Sequence, residues 1–548
     1  MRAILFLTTA TAIGLPPGAQ AQTALDRADP TLIERTLPSP ALPEAAPTPQ
    51  VGTERPDAAA AGPVTGVVRA VTVEGQDEVP PAAFADAIAP RVGQEMTRAD
   101  LTDLAGAIAA VARGRGYPFA TAQVPAQSLA NGILRVVLDL GRIDAVRVVG
   151  AKSVVADRIL GRALATGGPV RQAQLERALL LVGDLPGVRV TGSRLVRQDG
   201  FGILLVTIES DPAALYLQLD NRGSHEVGPF RSTAVGSLRG VATAGDELSL
   251  IASQTPFQPR EFFFARARYG APLGATGATL SISGSLARSR PGGALEPFDV
   301  RGRSADAALG VQYPLLRSRE RSLWAGAELR ALGTDQDLAG RRLRRDRLTL
   351  LTGTLGGSAA LAGGVLRGEL GVIGGLPLGD VTRRGSLLAS RFDGDARFVA
   401  GTYTIDWTTA LGKPFSLVLA SAGQLASRPL LATAEFGLGG PAFGRGYDYA
   451  ERTGERGVAG SAELRFDLGK VEGSVVDRAQ LYGFVDGGNV GNLRRGQGGG
   501  SLVSTGAGMR VGTGRFDWLM EVALPVNADR FDTGDKRPRV TVRVARAF

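Results

Sequence analysis

From about residue 213 to the C-terminus, apolar and polar side chains alternate with a period of two, the pattern of strands with two chemically different faces. In ATLSISGSLARS (278–289), Leu280, Ile282, Gly284 and Leu286 share one face, and Ser281, Ser283 and Ser285 the other. FFFARARYG (262–270) sets Phe263, Ala265, Ala267 and Tyr269 opposite Arg266 and Arg268. Two guanidinium groups on one face do not suit a dry sandwich core, because unpaired buried charge is very costly. A strand between lipid and a watery lumen accepts both faces. Such strands must close into a barrel, since hydrocarbon offers unpaired backbone groups no partner. Tyr269-Gly-Ala-Pro-Leu273 and Tyr313-Pro-Leu315 read as equivalent tight turns with an interfacial tyrosine, 44 residues apart. That is one complete hairpin, about 22 residues per strand with its loops, so the 336 residues after Pro212 hold about 15 strands. Closure favours an even number, and sixteen are expected. A soluble solenoid would need regular short repeats, which the chain lacks.

Between residues 67 and 210 the pattern changes to an α+β unit that occurs twice. The first copy opens with the strand VVRAVTVEG (67–75), followed by helical patterns over 80–92 and 97–115. In the second of these, Leu101, Leu104, Ile108 and Val111 lie on one face. Strands FATAQVP (119–125) and ILRVVLDL (133–140) close the unit. The second copy runs IDAVRVVG (143–150), helices over 154–165 and 171–183, then VRVTGSRLVR (188–197) and ILLVTIES (203–210). Gly75 and Gly150 end equivalent strands, and Gly132-Ile133-Leu134 matches Gly202-Ile203-Leu204. A repeated β-α-α-β-β order is a structural repeat, and the edge of each small sheet can accept an added strand from another chain.

Upstream, residues 1–21 read as a signal peptide: Arg2 supplies the positive start, an apolar run of 13 residues follows, and Ala19-Gln20-Ala21 fits the cleavage pattern. That run is too short to span a bilayer as a helix. Residues 24–37 fit a short helix with Asp29 as N-cap and Pro30 in its first turn. The Pro/Ala-rich stretch 38–63 reads as an extended linker reaching on the order of 80 Å.

Composition narrows the chemistry. There is no cysteine and a single histidine, His225, which removes disulfides, thiolate metal sites and most triad chemistry. No G-x-S-x-G occurs, and GAGMRVG (506–512) has the wrong spacing for a phosphate loop. Neither an enzymatic activity nor a cofactor is expected. Lys and Arg exceed Asp and Glu by nine. These charges are scattered among strands, unlike the clustered basic face of a nucleic-acid binder, so no nucleic-acid partner is expected.

The order of two such units before a barrel resembles the transporter component of two-partner secretion, the haemolysin secretion/activation (TpsB) family, whose periplasmic units are called POTRA domains. LDNRGSHEVGPFR (219–231) is similar to that family's lead-in to the first barrel strand, with Asp220-Asn221 and Gly223 matching. The segment 423–466 is similar to its long loop folded back into the barrel, with the Arg-Gly-aromatic tip at Arg445-Gly446-Tyr447. Gly444 stands where the family usually has a β-branched residue. YGFVDGGNV (482–490) resembles the inner-wall motif Phe-x-Asp-x-Gly, at Phe484, Asp486 and Gly488. The resemblance implies that Arg445 meets Asp486 in the lumen, where a guanidinium can bind a carboxylate through two hydrogen bonds. In a wet pore such a pair is screened, so its value would be conformational.

The resemblance further implies a signal peptide (1–21), a plug helix (22–37), a linker (38–65), POTRA-like domains at 66–141 and 142–211, and an outer-membrane barrel of about 16 antiparallel strands (212–548). The implied function is export of an unfolded, TpsA-like adhesin or haemolysin from the periplasm through the barrel. Expected partners are that exoprotein, outer-membrane lipid, periplasmic chaperones and the barrel-assembly machinery. The terminal Phe548, after alternating Val540, Val542 and Val544, is similar to the insertion signal of outer-membrane barrels, although Arg546 interrupts the apolar face. The alternatives are a barrel-assembly factor of the same superfamily and a diffusion porin. The first generally carries more POTRA units, and the second does not need residues 67–210.

Overall fold

The computed structural model describes residues 30, 50–53, 67–75, 78–198, 201–224, 226–470, 473, 475–494 and 496–548. The expected signal peptide (1–21) lies outside these residues, as do His225 and most of the leader. Of the candidate plug helix only Pro30 is described, and it is helical and buried.

The two repeats share one topology. In the first, Ala70–Glu74 pairs in parallel with Ile133–Asp139, which pairs antiparallel with Thr121–Gln123. In the second, Ala145–Gly150 pairs in parallel with Phe201–Ser210, which pairs antiparallel with Val188–Gln198. The matched glycines show why the repeat keeps them. A Cβ on Gly75 would come within 2.3 Å of the Leu138 carbonyl oxygen, and one on Gly150 within 2.4 Å of that of Ile208. Both strand ends cross the third strand too closely for any side chain.

Helix Arg98–Gly114 starts at a capping box, in which Thr97 Oγ1 accepts from the Asp100 N–H and Asp100 accepts from the Thr97 N–H. It buries Leu101, Leu104 and Ile108 on its sheet, as the spacing predicts, whereas Val111 is only half-buried. In the second unit Ser153 caps Val154–Leu164, and with Gln172–Gly183 this helix covers a core of Ile159, Leu160, Leu179 and Leu204. Residues 80–92 depart from the expected single helix. They form three short turns, Pro81–Phe84, Ala85–Ile88 and Ala89–Arg91, and Pro90, which has no N–H to donate, lies in the last of them.

The rest of the chain closes into a barrel of sixteen antiparallel strands, from Ala213–Asp220 to Arg539–Ala547, in agreement with the number expected. Among the described residues no helix is long and apolar enough to cross a membrane, and the closed barrel leaves no unpaired strand edge in its wall. Leu280, Ile282 and Leu286 are exposed on the outer face, while Ser285 turns inward and donates to Asp306. Phe262 and Phe264 join the inward face of Arg266 and are buried there with Val227. The two tyrosine segments are not turns. Tyr269 to Leu273 ends the strand Phe262–Leu273, and Tyr313 to Leu315 lies in Arg301–Arg317, where the ladder shifts register between Pro314 and Leu316. Their spacing still measures one hairpin because both mark corresponding strand ends. Proline is accommodated at such irregular positions of a sheet.

The barrel closes where Arg539–Ala547 meets Ala213–Asp220, through five residue pairs against eight or more at every other wall contact. Asn221 extends the closure with its side chain, donating to the Val540 carbonyl and accepting from the Val542 N–H. The second α+β unit docks under the wall: Arg317 donates to both oxygens of Asp184 at 2.8 and 2.7 Å, and Arg177 to the Pro314 carbonyl at 2.8 Å.

Candidate functional site

The loop 427–455, between strands Phe415–Ala426 and Arg456–Gly469, carries its own short hairpin, Phe436–Leu438 with Arg452–Gly454, and turns its tip back inside the wall. At the tip Gly444 has φ +82°, a left-handed conformation that a β-branched residue rarely adopts. The departure from the family pattern therefore falls at a left-handed position of this loop. Next to it the Arg445 guanidinium lies among three carboxylates from three wall strands. Nη1 donates to Glu463 at 2.8 Å and to Glu521 at 3.2 Å, and Nε lies 3.1 Å from Asp486 Oδ2. Beneath it is the ring of Phe484, 4.1 Å from the guanidinium carbon.

The structure thus brings Arg445 and Asp486 together, in a geometry that differs from the expected two-bond pair. Arg445 Nε is not aligned to hydrogen-bond. Asp486 instead accepts from the Gly444 N–H at 3.0 Å, from the Arg445 N–H at 3.3 Å, and from the Ser504 hydroxyl. Nor is the pair in a wet pore, because Asp486 is 3 % exposed. Phe484 and the folded loop exclude water from it, and a buried pair is little screened.

Gly446 donates to Ser504 Oγ at 3.2 Å. Tyr447 is fully buried, its hydroxyl 3.1 Å from the Val503 carbonyl and 3.2 Å from that of Ala528. Gly488 lets two wall strands approach, since a Cβ there would meet the Val458 carbonyl oxygen at 2.4 Å. Five of the six residues of the two motifs therefore form the loop tip or touch it, while Gly488 serves the packing of the wall.

Several residues of the site carried no sequence signal of their own. Glu463, Glu521, Ser504 and Tyr482 look like ordinary lumen-facing positions of alternating strands. They acquire a role only because the barrel brings four strands together. Arg510 and Arg465 donate to Glu463 at 2.9 and 2.7 Å, and Tyr482 to Glu521 at 2.8 Å, so the carboxylates are compensated. A second junction holds the base of the loop. Arg391, 8 % exposed and in the loop 376–398, donates to Glu435 at 2.5 Å and to Glu455, and pairs with Asp393. A third lies at Asp448, bound by Arg539.

At the terminus, the Phe548 N–H donates to the Leu215 carbonyl at 2.9 Å. Arg546 lies over the rings of Phe548 and Phe516 at 4.3 and 4.9 Å, which lets a cation sit at the edge of the apolar face.

A barrel with a loop folded into its lumen, behind two small α+β units, defines what to compare. Residues 202–511, more than half of the chain, match the model of the haemolysin secretion/activation protein ShlB/FhaC/HecB family, and residues 67–140 match the ShlB-type POTRA domain. The chain belongs to the ShlB/FhaC/HecB family. A curated relative, the heme/hemopexin transporter protein HuxB of Haemophilus influenzae strain 86-028NP, is 22 % identical over 402 residues, covering 72 % of this chain and 70 % of its own. Three solved structures share the fold. CdiB from Escherichia coli has a TM-score of 0.69 at 20 % identity, with 98 % of this chain and all of that one covered. CdiB from Acinetobacter baumannii reaches 0.63 at 16 %, with the same coverage. BamA from Haemophilus ducreyi lacking POTRA domains 1–3 reaches 0.55 at 12 %, covering 88 % of this chain and 99 % of that one.

As a member of this family the chain is an outer-membrane transporter of the two-partner secretion kind, with its barrel in the membrane and its POTRA region in the periplasm. It serves the secretion of a partner protein.

Proposed function

We propose that the POTRA-like units, 66–141 and 142–211, take up an unfolded adhesin or haemolysin as an extended chain, and that the loop tip at Arg445 closes the barrel (212–548) until that chain passes. In this reading residues 1–21 are the signal peptide, 22–37 the plug helix and 38–65 the linker. Periplasmic chaperones deliver the cargo, and the barrel-assembly machinery inserts the protein in outer-membrane lipid by way of Phe548. The chain has no catalysis of its own; folding of the cargo outside the cell draws it across.

The observation that carries this reading is the enclosure of Arg445 among Asp486, Glu463 and Glu521. Three carboxylates on three wall strands oblige the tip to return to one seat, and removing the cation takes from Glu463 and Glu521 a buried partner that Arg510, Arg465 and Tyr482 replace only in part. Such a seat suits a closure with two states. The test is export to the medium by cells carrying the intact protein, a deletion of 67–210, or Arg445→Ala, with insertion checked by heat-modifiable gel mobility. Both variants should insert and lose export. Unchanged export with altered solute flux would make the chain a pore instead.

A further inference from the structure

One sector of the barrel's outer wall carries a row of charge that the loop seat in the lumen does not use. Register places Phe263, Arg288, Arg303, Asp335 and Arg345 directly opposite one another across five neighbouring strands. Strand alternation puts them on the outward face of Leu280, Ile282 and Leu286. One step along that face the row reads Ala265, Leu286, Ala305, Gly333 and Arg347. Both rows lie toward the strand ends remote from the second α+β unit, which docks at Pro314 and Arg317. On Arg301–Arg317 the outward residues from Tyr313 to Ala305 are uncharged. Those eight steps, at ~3.4 Å each and tilted ~40°, rise roughly 20 Å, close to the ~25 Å apolar band of such barrels. Arg303, the next outward residue, therefore stands at the headgroup level of the outer leaflet.

The row is costly without an anion. Arg288 and Arg303 are like charges directly opposite each other, which destabilises a sheet. Arg288 lies 5.4 Å from the Phe263 ring, and Arg303 has no ion pair among the described residues. The nearby acids do not offset them. Asp335 is already bound by Arg342, by Arg345 at 3.3 Å and by Arg347 at 3.0 Å. Asp380 is exposed at the far side, in the loop 376–398.

These residues line a groove of about 970 Å³ on the outer wall, floored by Leu286, Ala305 and Ala331. Leu378 to Val381 form its far side, held there by the Thr349 hydroxyl donating to the Leu378 carbonyl at 2.9 Å and the Thr382 N–H to the Arg347 carbonyl at 3.0 Å. From Phe263 to Thr349 is four strand spacings, roughly 19 Å, which is several acyl chains wide. We propose that the groove binds a phosphorylated, multi-acyl glycolipid of the outer leaflet. Its acyl chains lie on Leu286, Ala305 and Ala331, and its phosphate sits between Arg288 and Arg303, relieving their repulsion. Guanidinium groups suit this role because each can hold a phosphate through two hydrogen bonds. A soluble phosphate compound would have no use for the apolar floor, and an uncharged lipid none for the arginines.

The test uses the purified full chain in detergent, with folding checked by heat-modifiable mobility and bound lipid counted by native mass spectrometry. The probes are lipid A bisphosphate, the same lipid with its phosphates removed, and inorganic phosphate in large excess. The wild type should retain one lipid A bisphosphate, at least tenfold more tightly than the dephosphorylated form, and inorganic phosphate should not displace it. Arg288→Gln with Arg303→Gln should weaken binding at least tenfold, yet melt no lower than the wild type in lipid-free detergent, because the repulsion is gone. Arg456→Gln, an outward change at the same end of the barrel but outside the groove, should bind as the wild type does. Equal binding of the dephosphorylated lipid, undiminished binding by the double variant, or an equal loss in Arg456→Gln overturns the proposal. So does displacement by inorganic phosphate, which would make this a site for free anions. A lower melting temperature of the lipid-free double variant would make the arginines structural and overturn it as well.

Discussion

Arg445 Nε stands 3.1 Å from Asp486 Oδ2, yet the hydrogen bonds that Asp486 accepts come from the Gly444 and Arg445 backbone and from Ser504. The carboxylate thus holds the loop's main chain, while the guanidinium neutralises Glu463 and Glu521. Arg445→Ala removes the shared cation, while Glu463 keeps Arg510 and Arg465 and Glu521 keeps Tyr482 and Arg222, so the cost is about 1–3 kcal/mol, below that of a stripped buried charge. That shifts the seated loop toward the withdrawn form about tenfold or more. Arg445→Lys keeps the charge without the fork and should fall between. Single-channel conductance in planar bilayers checks this, and Arg445→Ala with wild-type closure would remove the lock.

Arg391 makes an independent prediction. It ties the loop 376–398 to Glu435 and Glu455 at the two ends of the loop 427–455. Arg391→Ala should loosen the loop's base without disturbing the Arg445 seat. Protease applied to intact cells should then cut within 376–398 or 427–455 at least tenfold faster, while heat-modifiable mobility stays unchanged. Equal cutting rates would mean that other contacts hold the base.

Much of this was legible in the sequence because alternation and repetition are local. Leu280, Ile282 and Leu286 declared an outer face by spacing alone, and Gly75 and Gly150 marked equivalent strand ends. Arg445 and Asp486 were legible only through resemblance to a family, since an arginine in a loop and an aspartate before glycine are ordinary on their own. Glu463, Glu521 and Arg391 were not legible at all. Each is defined by partners tens of residues away, and which partners meet depends on barrel closure. Gln50–Thr53 escaped notice for a related reason, because four residues in a proline-rich leader show no period, and the strand exists only by its register against Gly192 to Leu195.

The periplasmic turn before the strand Glu247–Gln254 gives a pH prediction. Burial by itself would raise the Asp246 carboxyl. Hydrogen bonds from the Tyr269 hydroxyl and the Thr243, Ala242 and Val241 N–H groups outweigh it and hold the group at about 2, below the ordinary 3.8. A depressed folded value contributes stability that is full above the unfolded pKa and is lost as pH falls through the folded one. Wild type should therefore be more heat-stable than Asp246→Asn above about pH 4, and this contribution should disappear as the pH approaches 2. A melting-temperature gap that stays constant down to pH 2 would show that the charge on Asp246 does not contribute.

Arg317 and Asp184 fix the second POTRA-like unit to the barrel through two hydrogen bonds, with the Arg317 guanidinium 5.4 Å from the Trp324 ring. Charge-assisted bonds of this kind contribute about 1.5–3 kcal/mol. Arg317→Ala should broaden the distance distribution between spin labels on this unit and on the barrel. An unchanged distribution would assign the docking to Arg177 and Glu176 instead.

The five-pair closure between Ala213–Asp220 and Arg539–Ala547 separates the two barrel functions that share this fold. A factor that inserts other barrels would need the wall to part where it is most weakly paired, whereas export through the lumen does not. Leu219 and Val544 face each other across that contact, and Leu219→Cys with Val544→Cys can lock it in a chain without other thiols. Export should be the same with the lock oxidised or reduced. If oxidation stops export and reduction restores it, the cargo or the mechanism requires the wall to open, and the closed-lumen path proposed for this protein fails.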